Sequence, residues 1–403
     1  MKKAEVMRVN FVLICAITSG TIQLRSSIED FFAQRVAQNS EQIRFPSRDS
    51  ANRAYGGLSR YFNENSVAHI KDIRPFLGGN SATVFSFVYQ SKNYVARLLS
   101  DATSVKMFRA ERDAHLLAYR IGIAPELYYA DEYERMLIME FIVGKNLHDV
   151  SFDSYDQYKN IIIQCAKTLR EFHKINIAAS HNNKHFVNIK WYQKSKMIHA
   201  IAHECDQYFE YFQNVMLIKQ LKSRFSGLVD LILRASTHMK ALTHNDIHCG
   251  NILLDVSRQK VFVIDWSEAG IDNPFNDILR FIALFQPAYE YRNDFYASYF
   301  GRAMSLYERA LVRLMENFSR IWLLVRTING DQAVQRMMCN KKWWESLQPA
   351  HTMQWYSRKF FLEPSRAQEP RVVCQQVKAG LQEALRYLSS GQYSADKRVL
   401  LKH

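Results

Sequence analysis

The 403-residue sequence predicts an α+β fold in which a small β-rich lobe with one helix precedes a large, mostly helical lobe. Three observations lead there. Between 67 and 142, short β-branched and aromatic runs alternate with glycine and polar turns, the texture of antiparallel strands. Beyond 143 the chain is dominated by long segments of helical period, interrupted by one paired-strand pattern at 252–265. Hydrophobic residues make up 48% and charged residues 23%, a globular balance that excludes wholesale disorder.

Residues 1–66 read as an N-terminal extension, partly helical. Lys2, Lys3 and Arg8 precede an apolar run, FVLICAITS at 11–19, that is too short to span a bilayer. Its length suits a signal-peptide core, but Glu5 and Asn10 favour a packed N-terminal element. SSIEDFFAQRVA offers a capping box, Ser26 with Glu29, and apolar Ile28, Phe32 and Val36 four apart, so a short helix is expected. The surrounding SEQIRFPSRDSANRAYGG is polar and reads as irregular.

The small lobe, 67–142, reads as strand, glycine turn, strand, turn, strand: VFSFVY, the turn QSKN, then YVARLL. SVKMFRAERDAHLLAYRIG is helical and stops at Gly122. LYYADEYERMLIMEFI follows as a hairpin with a strongly apolar second strand. The large lobe, 143–403, opens with the helix DQYKNIIIQCAKTLREFHKI and continues with helical segments at 198–240 and from 275 onward. A cleft between such lobes is the natural position for a ligand.

The net charge of +14 and pI near 9.4 favour anionic partners. No lysine/arginine block appears, so a dedicated nucleic-acid arm is not expected. The six cysteines, including Cys249, are scattered without a C-x-x-C pair, which argues against a zinc site or disulfide framework.

The stretch LTHNDIHCGNILLDVSRQKVFVIDWSEAG, 242–270, carries the chemistry. ILLDV and VFVID read as two strands joined by a turn. A hairpin centred on Arg258 sets Asn251 opposite Asp265, within reach of one hard cation that prefers oxygen ligands. Asp246 lies five residues earlier, in the entering loop. The set suits phosphoryl transfer, with magnesium on Asn251 and Asp265 and Asp246 deprotonating an attacking hydroxyl.

H-N-D-I-H-C-G-N-I-L-L followed by V-I-D-W resembles the catalytic and metal-binding segments of the aminoglycoside phosphotransferase and choline kinase superfamily, small-molecule relatives of the protein kinases. The resemblance covers roughly 67–285 and implies a protein-kinase-like bilobal fold, with the small lobe binding the nucleotide. His244, Asp246 and Asn251 match its H-x-D-x-x-x-x-N, and Asp265 its metal aspartate. Asp277 matches the aspartate that buttresses the catalytic loop, and His248 a histidine common at its position. Cys249 stands where the family usually has proline, and Ser267 where it often has glutamate.

In the small lobe, LGGNSATVF resembles the family's double-glycine strand turn, which implies phosphate contacts from Gly78, Gly79 and Ser81. Arg97 occupies the strand position of the ATP-contacting lysine of protein kinases, as in choline kinases, and its fork can bridge phosphate oxygens. Glu111 is its expected partner, with Glu134 and Glu140 as alternatives. MEFI, 139–142, falls where the family holds adenine, placing Met139 or Phe141 nearby.

The resemblance thus implies an ATP- and magnesium-dependent phosphotransferase acting on a small-molecule alcohol; the scattered cysteines suit a cytoplasmic protein, and no nucleic-acid partner is expected. The acceptor expected is choline- or ethanolamine-like, with an aromatic cage from Trp322, Trp343, Trp344 and Trp355 as one way to hold a quaternary ammonium. An aminoglycoside, thiamine or sugar acceptor, or a catalytically silent kinase-like scaffold, are the alternatives.

Overall fold

A computed structural model describes residues 48–63, 67, 69–76, 82–147, 149–150, 155–175, 190–191, 196–213, 215–236, 238–285, 289–329, 332–349 and 370–402. The described residues up to Arg112 form one compact unit with Pro125–Ile142; Asp113–Ala124 and the described residues from Val143 form the other.

The first unit begins with a helix, α1 (Arg48–Phe62), that falls largely on a stretch whose sequence reads as irregular. Its buried residues Ala51, Ala54, Leu58 and Phe62 recur at three- and four-residue spacing, a single apolar face. Polar composition and the Gly56-Gly57 pair hide that face in the sequence. Both glycines answer to close packing: a Cβ at Gly56 would stand 2.6 Å from Oε1 of Glu134, and one at Gly57 2.3 Å from Cε of Met136. The sequence-predicted helix around Ile28, the apolar run at 11–19, the double-glycine turn with Gly78, Gly79 and Ser81, and Trp355 lie outside the described residues.

Strands β1 (Lys71–Phe76), β2 (Ala82–Tyr89), β3 (Lys92–Leu99), β4 (Leu127–Asp131) and β5 (Met136–Glu140) form an antiparallel sheet in the order β1-β2-β3-β5-β4. Gln90 and Ser91 close the β2–β3 hairpin with φ of 47° and 63°, the backbone twist that suits a two-residue turn between right-twisted strands. Phe85, Phe87, Tyr94, Ala96, Leu98, Met136 and Ile138 bury one face of the sheet against α1. Helix α2 (Val105–Arg120) follows β3, and Gly122 ends it at φ 76°.

The second unit adds strands β6 (Gly144–Asn146), β7 (Lys190–Trp191), β8 (Ala241–Thr243), β9 (Ile252–Asp255), β10 (Lys260–Val263) and β11 (Gly270–Asp272). Its helices are α3 (Tyr155–His173), α4 (Lys196–Tyr211), α5 (Met216–Ser236), α6 (Phe275–Phe285), α7 (Tyr289–Phe300), α8 (Leu306–Asn329), α9 (Gln332–Cys339), α10 (Lys341–Ser346), α11 (Pro370–Leu388) and α12 (Gly391–Leu401). Helix α8 is the hub, touching α4, α5, α6, α9, α11 and α12. Leu311, Leu314, Phe318, Ile321, Leu324 and Ile328 along it are fully buried. Two three-stranded sheets sit in this helical mass, β10-β9-β6 and β7-β11-β8. Among the described residues, no helix is long and apolar enough to cross a membrane.

Candidate active site

The hairpin predicted from the sequence forms, but one step out of the expected register. Lys260 pairs with Asp255 and Val263 with Ile252, and the Ile264 N–H donates to the Asn251 carbonyl at 3.0 Å. Asn251 is therefore aligned with Ile264, and Asp265 lies one residue past it. The turn explains the offset. Four residues, 256–259, link the strands, because the Asp255 carboxylate accepts the Ser257 hydroxyl at 2.6 Å and the Arg258 N–H at 3.0 Å, while Gln259 takes φ 48°. A hairpin centred on Arg258 needs an odd number of turn residues. Asp265 itself adopts φ 61°, which breaks the strand's alternation there. Gly144 of β6 pairs with Asp255, so close that a Cβ would lie 2.2 Å from the Leu254 carbonyl oxygen.

The loop between β8 and β9 is held from its backbone. Its entry is clamped by the antiparallel β8–β11 pairing and by the Thr243 hydroxyl donating to the Gly270 carbonyl at 2.9 Å. Asp277, in the first turn of α6, accepts the N–H of His244 on Oδ2 and that of Asn245 on Oδ1, each at 2.7 Å. Oδ2 also meets Nε2 of His173 on α3 at 2.9 Å, and the other nitrogen of that ring meets the Tyr299 hydroxyl at 2.7 Å. Burial pushes the Asp277 carboxyl up. The hydrogen bond and charge of His173 and the His244 backbone N–H together outweigh it and hold the group below its ordinary value.

His244 is fully buried and pins the loop to the hairpin. Its Nδ1 accepts the Asp246 N–H at 3.2 Å, so Nε2 carries the proton that it donates to the Ile264 carbonyl at 3.0 Å. The Trp266 ring stands edge-on to His244 at 4.7 Å between centroids and donates its N–H to the Val263 carbonyl, which accounts for the aromatic residue after Asp265. Asn245 takes φ 63° and reaches the Glu268 carbonyl at 3.2 Å with its side-chain amide.

Asp246 is half-buried. The Asn251 Nδ2 donates to its backbone oxygen at 2.9 Å and to Oδ2 at 3.3 Å. Oδ1 pairs with Nη2 of Arg280 at 2.5 Å. His248 places Nε2 3.8 Å from Oδ2, while its Nδ1 accepts the Gly250 N–H. Burial lowers the His248 pKa; the charge of Asp246 and that of Asp265 raise it, and that of Arg280 lowers it, leaving it below the ordinary value. Both carboxylates are thus within electrostatic reach of one imidazole. Cys249 is buried among apolar side chains.

In the first unit, Nε of Arg97 on β3 donates to Oε1 of Glu111 on α2 at 2.7 Å, with both residues buried. Glu134 pairs instead with Arg60 of α1 at 2.9 Å, and Glu140 takes the Glu126 N–H at 3.4 Å. Met139 lies within β5, paired with Val95 and Leu127, and Phe141 stands just past its end, partly exposed.

The sequence reading did not reach Arg280, His173 or Asn245. Arg280 had a findable signal: it lies three residues after Asp277, on the same face of a helix. His173 meets Asp277 only through the tertiary fold. Of the tryptophans named for an aromatic cage, Trp343 is partly buried and packs against the core. Trp322 is buried, with the guanidinium carbons of Arg280 and Arg326 at 6.0 and 5.4 Å from its ring centroid and its N–H on Glu204 at 3.1 Å. Trp344 is buried too, with Nζ of Lys378 at 5.8 Å.

An antiparallel five-stranded sheet followed by a helical region with this loop-and-hairpin arrangement is the fold of the kinase-like phosphotransferases. Residues 72–311 match the profile of the phosphotransferase enzyme family, APH, and the chain belongs to that family. Among solved structures it is similar to a choline/ethanolamine kinase family protein from Mesorhizobium loti, with a TM-score of 0.52 and 14% identity over 88% of this chain and 100% of that one. It is similar also to an ethanolamine kinase from Plasmodium vivax, with a TM-score of 0.51 and 17% identity over 74% of this chain and 88% of that one. No curated protein matches the sequence.

Proposed function

We propose that the chain transfers the γ-phosphoryl group of ATP to a hydroxyl of a small molecule, with Asp246 as general base and Asn251 and Asp265 as magnesium ligands. The observation that carries this reading is the amide of Asn251. Its nitrogen is bound to Asp246, which turns its oxygen to the other side, so one side chain separates the proton-accepting group from a metal position.

The donor set fits magnesium. Asn251 and Asp265 offer oxygen to a hard cation that keeps several waters and phosphate oxygens in its shell. Among the described residues no cluster of three or more His, Cys, Asp or Glu side chains offers a competing site. When bound, the ion would neutralise charge on the nucleotide's phosphates.

The chain's own residues do the rest. Arg280 occupies Oδ1 of Asp246, so Oδ2 receives the proton as the acceptor oxygen attacks the γ-phosphorus. The new P–O bond forms as the bond to the bridging oxygen breaks, and ADP leaves with that electron pair. Asp277 and His244 keep the loop in place through its backbone. In the first unit, Glu111 fixes Arg97 by its Nε, which would hold the guanidinium in place for phosphate oxygens.

The test is an ATP-consumption assay of the purified chain against amino alcohols, aminoglycosides, vitamins, sugars and hydroxy acids. Turnover that requires magnesium and disappears in Asp246→Ala supports the reading. Nucleotide binding without turnover of any acceptor, or of water, overturns it.

A further inference from the structure

We infer that the acceptor is an anionic alcohol, bearing a carboxylate or phosphate near its reactive hydroxyl, held by Arg280 and Arg326 beside Trp322. The inference rests on Asp246 being the base, as proposed above, and adds the charge of the molecule it serves.

Among the described residues, Arg280 is the closest cation to that base. One of its terminal nitrogens lies 2.5 Å from Oδ1 of Asp246, the other 3.5 Å from the Asn245 carbonyl. Its Nε is buried with no hydrogen-bond partner among the described residues, yet the side chain keeps 21% of its surface exposed. A guanidinium carries five N–H donors, and these contacts leave capacity for a further acceptor group. A hydroxyl delivered to Oδ2 of Asp246 necessarily arrives beside this guanidinium.

Arg326 adds a second positive charge. It is exposed and lies one turn beyond Trp322 on α8, so both guanidiniums stand around one indole. Glu204 accepts the indole N–H at 3.1 Å. Two guanidiniums within 6.0 Å of one indole centroid offer the planar, forked donors that carboxylate and phosphate oxygens match.

The same arrangement disfavours a quaternary ammonium. An aromatic cage works by offering open ring faces to a ligand cation. Here Trp322 and Trp344 are buried and already have cations of the chain itself against them. A trimethylammonium two carbons from the reacting oxygen would also meet Arg280 as a like charge at short range.

The experiment compares four small alcohols with the full-length chain, ATP and magnesium: choline, glycerol, glycerate and glycerol 3-phosphate. Glycerate or glycerol 3-phosphate is expected either to be phosphorylated with kcat/KM at least about tenfold above choline and glycerol, or to inhibit slow ATP hydrolysis where those two do not. The two anions separate a carboxylate from a phosphate requirement. Arg326→Gln should raise KM, or the inhibition constant, for the anion about tenfold with a smaller change in kcat, and Arg326→Lys should restore part of it. Preference for choline or glycerol, no effect of either anion, or an unchanged constant in Arg326→Gln overturns the inference alone, because hydrolysis lost in Asp246→Ala still reports the base. Absence of any ATP turnover removes the proposed function and the inference with it.

Discussion

His173 and Asp277, 104 residues apart, meet at 2.9 Å, and the carboxylate between that ring and two backbone N–H groups has no solvent exposure. Asp277→Ala leaves those donors buried without an acceptor, a defect that costs about 3–5 kcal/mol when one partner of a buried pair is removed. Urea denaturation should show a lower midpoint and an unfolding free energy reduced by about 3–5 kcal/mol, with turnover lost. An unchanged midpoint would show that the aspartate does not organise the loop.

The same carboxyl makes stability depend on acid. Its folded-state pKa lies below the ordinary value of 3.8, so the unfolded chain binds its proton first as the pH falls. The stabilisation is complete above the ordinary aspartate range and is lost as pH drops through the lowered folded value. Denaturation midpoints compared at pH 7 and at about pH 3 should converge between wild type and Asp277→Asn at the lower pH. Parallel loss in both proteins would assign the acid sensitivity elsewhere.

Asp246 and Asp265 are expected to separate in their effects. Asp246→Ala should remove phosphoryl transfer while nucleotide affinity stays within about threefold, since a general base acts on the acceptor. Asp265→Ala should weaken magnesium-dependent nucleotide binding, read by calorimetry at varied magnesium. If the two variants lose binding and turnover to the same degree, the division between base and ligand is wrong.

Glu111→Ala removes the partner of a buried guanidinium without touching it. Nucleotide affinity should fall roughly tenfold or more as Arg97 loses its orientation. Arg97→Lys probes the fork itself, because an ammonium cannot make two parallel bonds. Full affinity and turnover in that variant would show that a point charge suffices.

Gly144→Ala tests the strand beneath the hairpin. The added carbon would overlap the Leu254 carbonyl, a backbone atom that cannot step aside, and should cost about 1–3 kcal/mol. Thermal unfolding measures it. A wild-type melting temperature would mean that β6 can leave β9 freely.

The candidate site of this chain was legible because it is local. Asp246, Asn251 and Asp265 fall within twenty residues, and strands flanking a polar loop advertise themselves by alternation. The exact pairing of Asn251 was not, because side-chain bonds from Asp255 choose the turn length and no periodicity records them. Helix α1 was hidden for a related reason: its glycines look like breakers until Glu134 and Met136, some eighty residues away, are seen pressed against them. Arg280 could have been read from the spacing on its helix, but its aim at Asp246 is a tertiary fact.

The turn at 256–259 therefore works as a gauge for the whole candidate site. Insertion of a single amino acid between Asp255 and Lys260 would delete no functional group and disturb only solvent-facing chain, yet it would slide one ribbon against the other by a notch. Loop-length variation, harmless at most hairpin tips, would at this tip displace the candidate site while every motif stays intact.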